Sequence, residues 1–166
     1  MTKIYASWKD YPLSEWRWPS FSPQEIACRG TGRLVIVPEA MDKLQALRDR
    51  LGKPMIVNSG YRSPEHNRAV GGAKNSRHML GIAFDVRMDN HDPDVYIAAA
   101  LAVGFRGIGT YPKQNFIHVD ARTSRAYWGD PFPKRTATPD FSPEPIATGW
   151  WSALTAAIAA FFGGKK

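Results

Sequence analysis

Apolar residues recur at helical spacing in one early stretch of the chain. Pro38 suits the first position of a helix, and Gly52 suits the residue that follows one. Between them, four apolar residues fall three or four positions apart and share one helix face: Met41, Leu44, Leu47 and Leu51. The pattern predicts a helix over residues 38–51 with this face in the core.

Shorter elements follow in the middle of the chain. We expect a strand over the apolar run 54–58, a short helix from Ser63-Pro64 and a longer helix from Asp92-Pro93. Ser and Asp side chains accept hydrogen bonds from the first free backbone N–H groups of a helix, and proline suits its first position. Glycines at 71–72 and at 104 end the two helices.

Two later stretches alternate between apolar and other residues, as strands with two different faces do. In residues 81–87, Asp85 shares its face with two small residues, which leaves space beside the carboxylate. In residues 115–122, His118 and Asp120 point to the same side. We therefore expect Asp85 to face a cavity, and His118 and Asp120 to line one site.

Three residues in and near these strands are of the types that bind zinc. His78, Asp85 and His118 offer two imidazole nitrogens and one carboxylate oxygen, and three protein ligands leave a fourth position for water. Each residue also has a structural interpretation, because a single histidine in a strand is usually just hydrogen-bonded and Asp85 can end its strand. The matching polar faces of the two strands favour the metal site over these alternatives.

Composition narrows the range of functions. A chain of 166 residues predicts one domain with modest extensions, and its single Cys28 excludes an internal disulfide and a paired-thiolate metal site. We expect Cys28 to be a small buried residue. The net charge of +7 favours an acidic partner, either nucleic acid, an anionic lipid surface or an anionic wall polymer. Because the basic residues are scattered and form no basic helix, we expect no nucleic-acid partner.

The two ends of the chain differ from its middle. Residues 1–20 form a tryptophan-rich arm without the apolar core and cleavage site of a signal peptide, so we expect synthesis in the cytoplasm. Residues 131–145 are rich in proline and predict an extended linker. Residues 146–166 form an apolar tail, for which membrane association and docking on a partner such as a virion protein are both open.

Four motifs give the chain a resemblance to a known family. They are SGYRS at 59–63, SxHxxGxAxD at 76–85, GIGxY at 107–111 and FIHVD at 116–120. Over residues 21–128 the sequence resembles the D-Ala-D-Ala carboxypeptidase-like zinc peptidases.

The resemblance implies an α+β domain over residues 21–130, with a small antiparallel sheet and flanking helices of the hedgehog/DD-peptidase-like type. It also implies one zinc ion and cleavage of a peptide bond in bacterial peptidoglycan stem peptides, by a carboxypeptidase or an endopeptidase. The closest likeness is to the short phage and prophage forms, which implies a role in phage lysis or entry and action on the cell wall.

The resemblance also implies roles for single residues. Zinc held by His78, Asp85 and His118 activates water and polarises the scissile carbonyl. Arg62 suits the developing oxyanion or the terminal carboxylate of the substrate, because both accept hydrogen bonds from its guanidinium. Ser76 either positions the substrate or caps a turn.

One position departs from the family. Many relatives have an acidic residue three positions before the last histidine ligand as the general base, and here that residue is Asn115. Asp120 is either the substitute base or a hydrogen-bond partner that orients His118. Glu65 and His66, expected on a solvated helix face, and His91, expected in a loop, are further candidates. Asn115 also favours an alternative function, that of a catalytically weak or silent zinc-containing module that binds the cell wall.

Overall fold

The computed structural model describes residues 1–134, and residues 1–133 form one unit. The strands are β1 (Lys3–Tyr5), β2 (Leu34–Ile36), β3 (Val57–Ser59), β4 (Ala83–Arg87), β5 (Gly107–Tyr111), β6 (Phe116–Asp120) and β7 (Ala126–Gly129). The α-helices are α1 (Pro23–Ile26), α2 (Pro38–Leu51), α3 (Pro64–Ala69) and α4 (Pro93–Ala102). Short 3₁₀ helices cover Trp8–Asp10, Leu13–Glu15, Arg77–Leu80 and Pro112–Gln114.

Five of the strands form one sheet in the order β3-β4-β6-β5-β7, and β1 pairs with β2 in a separate ladder. Neighbours in the large sheet are antiparallel except β5 and β7, which are parallel. This confirms the predicted α+β fold with a small, mostly antiparallel sheet and flanking helices. In the register of β4 and β6, Asp85 lies directly opposite His118, so the strand order brings two of the predicted ligands together.

The core lies between the helices and one face of the sheet. Three of the four apolar residues predicted for α2 are buried, and Leu51 packs against the core from its edge. Tyr11 and Trp18, within the predicted arm, are buried in the same core cluster. The first twenty residues therefore share the core of the domain that follows them.

The predicted helix over residues 38–51 is confirmed, and other elements differ in extent. β3 begins at Val57, three residues later than the predicted strand, because the pairing with β4 starts there. β4 and β6 begin later than predicted, because Gly81, two residues before β4, and Asn115, directly before β6, have left-handed backbone angles. β6 also ends earlier than predicted, at Asp120. No sequence pattern predicted β1, β2, β5 or β7.

The ends of the chain are only partly described. The proline-rich linker beyond residue 134 and the whole apolar tail of residues 146–166 lie outside the described residues. Within residues 1–134, no helix combines the length and the apolar character that crossing a membrane requires.

Gly81, in the SxHxxGxAxD motif, is required by both its backbone angle and its surroundings. Its φ is 70°, and a Cβ there would lie 2.8 Å from Cγ1 of Val35. Gly71 has a similar φ of 67°, but a Cβ added to it would meet no atom within 4 Å. The pair separates the cost of the backbone conformation from the cost of the steric contact.

We expect Gly71→Ala to lower the free energy of unfolding by about 1–2 kcal/mol, the usual cost of a left-handed alanine. Gly81→Ala should cost more, because it adds the overlap with Val35. Urea unfolding of both variants measures the difference. Equal losses would show that Val35 moves away at no cost.

Candidate metal centre

Three buried side chains converge at the middle of the large sheet. Asp85 comes from β4, His118 from β6, and His78 from the 3₁₀ helix that precedes β4. His118 Nδ1 lies 2.9 Å from Asp85 Oδ1, and His78 Nε2 lies 3.1 Å from each of these two atoms. All three residues are more than nine-tenths buried. The structure therefore brings together the three predicted metal ligands.

The donor set fits one zinc ion. Two atoms bound to zinc at about 2.0–2.1 Å with a tetrahedral angle lie about 3.3 Å apart, close to the separations found here. Two imidazole nitrogens and one carboxylate oxygen also match the ligand preference of zinc. Because three acceptors would otherwise face one another away from water, a cation at their centre compensates their burial.

His78 is held in one tautomer by the backbone. Its Nδ1 lies 2.7 Å from the carbonyl oxygen of Gly60, which can only accept a hydrogen bond. Nδ1 therefore carries the ring proton and donates a hydrogen bond to the Gly60 carbonyl. The lone pair of Nε2 faces the cluster. Gly60 belongs to the SGYRS motif, so this motif orients a ligand that lies 18 residues later in the chain.

Asp85 is held ionised by its neighbours. Burial by itself would raise its pKa, but His118 and His78, which donate to it and attract it when their rings are protonated, outweigh burial and hold the pKa well below its usual range. Its Oδ1 faces both histidines, while its Oδ2 accepts a hydrogen bond from the guanidinium of Arg62. Arg62 thus contacts the carboxylate oxygen that does not face the histidines.

His118 is oriented by Asp120, as one of the two predicted roles requires. Its Nε2 lies 3.1 Å from Asp120 Oδ2, so Nε2 keeps its proton and donates a hydrogen bond to the ionised Asp120, which leaves the lone pair of Nδ1 for the cluster. Burial lowers the pKa of His118, but the protonated ring donates to both Asp120 and Asp85, and these hydrogen bonds raise the pKa overall. The two carboxylates therefore favour positive charge at this position.

Asp120 is fully buried and surrounded by donors. Arg122 donates to it from Nε at 2.7 Å, from Nη2 at 2.6 Å and from its backbone N–H at 3.0 Å. Burial raises the pKa of Asp120, but the hydrogen bonds from His118 and Arg122 lower it well below its usual range. Arg122 was missed in the sequence, although it continues the alternation that places His118 and Asp120 on one face.

Two glycines of β5 make room for this arrangement. Gly107 lies opposite Asp120 in the ladder, and a side chain there would overlap the Asp120 carboxylate. A Cβ at Gly109 would lie 2.5 Å from the indole of Trp128. The glycines of the GIGxY motif are therefore required for close approach of neighbouring side chains.

The cluster opens onto a cavity of about 650 Å³. Asp85 faces this cavity, as predicted, and Arg62 and Ser76 also line it. Nε of Arg62 donates to Ser59 Oγ at 2.8 Å, which fixes the guanidinium at the cavity wall. Ser76 precedes the 3₁₀ helix without capping it through its side chain. The roles of Arg62 and Ser76 toward a substrate stay predictions.

The structure separates the other proton-transfer candidates. Asn115 donates to Asp89 at 2.8 Å and does not line the cavity. Glu65 is exposed outside the cavity, and His91 lies 2.9 Å from the carbonyl of Pro54. His66, expected on a solvated helix face, is instead half-buried in the cavity wall, because α3 turns that face toward the cavity.

Cys28 is buried, as expected for a structural residue. Its sulfur accepts a hydrogen bond from the backbone N–H of Ser63 at 3.3 Å. Ser63 in turn caps α3 by accepting from His66 N–H at 3.2 Å. Cys28 thus helps to position the helix that carries part of the cavity wall.

Comparison with known proteins agrees with this geometry. The Peptidase M15 family model matches residues 19–120, more than half of the chain, and the chain belongs to this family. The match spans the SGYRS motif and all three metal-ligand candidates. The family resemblance predicted from the sequence is confirmed.

Three relatives illustrate the similarity. The chain is 37% identical over 100 residues to the peptidoglycan L,D-endopeptidase MepK of Escherichia coli K12, covering 56% of this chain and 54% of that protein. It is 42% identical over 95 residues to the zinc D-Ala-D-Ala carboxypeptidase of Streptomyces albus G, covering 55% and 37%. It is 33% identical over 100 residues to the probable peptidoglycan L,D-endopeptidase MepK of Haemophilus influenzae, covering 55% and 54%. The chain thus spans about half the length of these relatives or less.

We expect the purified protein to bind one zinc ion per chain, and His78→Ala to weaken zinc binding by more than about 100-fold. Loss of a hydrogen-bond partner outside the ligands typically costs about 10- to 100-fold, and loss of a ligand should cost more. Zinc titration by calorimetry, with metal analysis after dialysis, measures both.

His66→Gln serves as the matched control, because His66 lines the same cavity outside the cluster. It should bind zinc like the unchanged protein. Equal zinc loss in the two variants, or a stoichiometry other than one, would contradict the assignment of ligands.

Proposed function

We propose that this protein is a zinc-dependent peptidase that hydrolyses a peptide bond in bacterial peptidoglycan stem peptides. The observation that supports this most is the buried cluster of His78, Asp85 and His118, which forms part of the wall of a cavity large enough for a peptide. Two of the relatives are named for peptidoglycan endopeptidase activity and one for D-Ala-D-Ala carboxypeptidase activity. The proposal covers both activities.

The residues in and around the cluster have different roles in the proposed hydrolysis. Zinc, when bound, supplies a Lewis acid that lowers the pKa of water and polarises a carbonyl. His78 and His118 present one lone pair each because Gly60 and Asp120 hold their other ring nitrogens protonated. Arg62, fixed by Ser59 and Asp85, presents positive charge at the cavity wall, where an oxyanion or a substrate carboxylate would bind.

Asp120 has the position of a residue that orients a ligand. Its two oxygens already accept hydrogen bonds from His118 and Arg122, and its side chain is fully buried. A general base must reach the proton that it removes, either directly or through one water. We therefore assign Asp120 to holding His118, and the proton acceptor to a group that lines the cavity.

The biological setting stays a prediction from the family resemblance. A role in phage lysis or entry rests on that resemblance alone. A contact of residues 146–166 with a membrane or a virion protein concerns residues outside the described part of the chain. Likewise, the wall-binding module without catalysis differs from the proposed enzyme only in turnover. Digestion of purified cell wall distinguishes the two functions.

Zinc-loaded protein should release soluble peptides from purified sacculi, and mass spectrometry of defined muropeptides should identify the bond that is cut. His78→Ala should lower the rate by at least about 1,000-fold, because the metal supplies the main activation of water and carbonyl. Binding of sacculi without release of peptides would support the wall-binding module and sink the proposed enzyme.

Asp120→Ala should weaken zinc binding by about 10- to 100-fold, since His118 loses the partner that fixes its tautomer. If Asp120 only orients His118, saturating zinc should restore much of the cleavage rate. Zinc titrations followed by cleavage assays at saturating zinc separate the two effects. Asp49→Ala, an exposed aspartate on α2, is the matched control.

The opposite result is as informative. Normal zinc affinity with cleavage abolished at every zinc concentration would show that Asp120 takes the proton itself. The assignment of Asp120 as an orienting residue would then be wrong.

A further inference from the structure

The cavity has two chemically different sides, and the strand order fixes which side is which. The metal-ligand candidates on β4 and β6 lie on central strands of the sheet, whose edges are β3 and β7. Toward β7 the cavity wall is formed by aromatic rings and by Arg122, whose charge is paired with Asp120, and toward β3 it is cationic without such a pair. A peptide bound across the cluster from the β3 edge to the β7 edge would contact these two different surfaces on the two sides of its scissile bond.

The aromatic side consists of three half-buried rings. Tyr111 and Phe116 stack with their centroids 4.5 Å apart, and Trp128 Nε1 donates to the Tyr111 hydroxyl at 2.9 Å. Trp128 also packs against the ring of His118, with centroids 5.3 Å apart. This side offers a firm surface to the apolar part of a ligand and carries no carboxylate.

The cationic side is anchored at the edge of the sheet. Arg29 donates from Nη2 to the carbonyl oxygen of Val57 at 2.9 Å, which fixes it beside the first residue of β3. The next residue is Gly30, whose lack of a side chain lets the ring of His66 lie directly against it. Arg29 and His66 both line the cavity, so they form one continuous part of its wall.

Arg29 and Arg77 differ in charge balance from the two other arginines that line the cavity, and of these two Arg29 is the one fixed against β3 by a hydrogen bond. Arg62 forms an ion pair with Asp85, and Arg122 forms one with Asp120. Within residues 1–134 no carboxylate forms an ion pair with Arg29, whose partner is a neutral carbonyl. Asp85 is the only carboxylate that lines the cavity in this part of the chain. The β3 side therefore carries positive charge that the described residues do not neutralise.

We infer that Arg29, together with the ring N–H of His66, binds a free carboxylate of the substrate beside the scissile bond. The guanidinium of Arg29 keeps donors beyond the one used by Val57, and it recognises carboxylates by paired hydrogen bonds. This inference rests on the proposed function. It adds that the enzyme selects acidic peptides and that Arg29 determines this specificity.

A set of synthetic stem peptides tests the inference, with one carboxylate at a time replaced by a carboxamide. For the unchanged protein loaded with zinc, amidation of one particular carboxylate should lower kcat/KM by about 10- to 100-fold. Arg29→Gln should lower kcat/KM for the free acid to the value that the unchanged protein has for this amide. Its kcat/KM for the amide should stay within about twofold of that of the unchanged protein. Arg29→Lys keeps the charge but not the paired donors of the guanidinium. Its kcat/KM for the free acid should lie between those of the unchanged protein and Arg29→Gln.

Arg50→Gln is the matched control, because Arg50 is exposed on α2 outside the cavity wall. It should keep the full preference for the acid. The inference fails if no amidation matters, or if Arg29→Gln keeps the preference while thermal melting shows it folded.

Failure of the proposed function gives a different result, since no peptide is then cleaved. In that case calorimetry of the same acid and amide peptides with the zinc-loaded protein decides the inference. Tighter binding of the acid that Arg29→Gln removes would support a carboxylate site in a binding module. Equal affinity for acid and amide would overturn it.

Discussion

The contact between the Asp85 carboxylate and two histidines is the interaction on which the rest of the site depends. Asp85 is buried, and its two oxygens face different partners, with His78 and His118 on one and Arg62 on the other. A buried carboxylate is stable only where such partners compensate its lost hydration. The register of β4 and β6, the position of the 3₁₀ helix and the place of Arg62 all satisfy this requirement.

The residues that contact the ligand candidates determine the tautomers of the two histidines and the charge beside them. Gly60 and Asp120 determine which nitrogen of each histidine faces the cluster, and Arg122 keeps Asp120 charged in a site without water contact. Gly107 leaves the space that the Asp120 carboxylate fills. A substitution at any of these positions therefore reaches the metal centre indirectly, through a tautomer or a displaced carboxylate.

Much of the site could be predicted from the sequence because its signals are local. Alternation along a strand placed His118 and Asp120 on one face, and helical spacing placed the core face of α2. Residue type and the matching polar faces of two strands indicated the three ligand candidates, and the family resemblance added Arg62. Asp120 was open between two roles, because a proton acceptor and an orienting residue differ in distance and burial, which spacing along the chain does not contain.

By itself, then, the sequence determined the types of ligand, the faces of the elements that carry them and the family. Only the tertiary structure decided that Asp120 is enclosed by His118 and Arg122, that Asn115 turns away toward Asp89, and that the cavity is aromatic on one side and cationic on the other. The physical reason is that the contact of Asn115 and the two sides of the cavity join segments far apart in the chain. Asp120 contacts residues only two positions away, but its carboxylate fits there because Gly107 lies opposite it on the next strand. Strand order and register, which long-range packing sets, place Trp128 and Arg29 at opposite edges of one sheet.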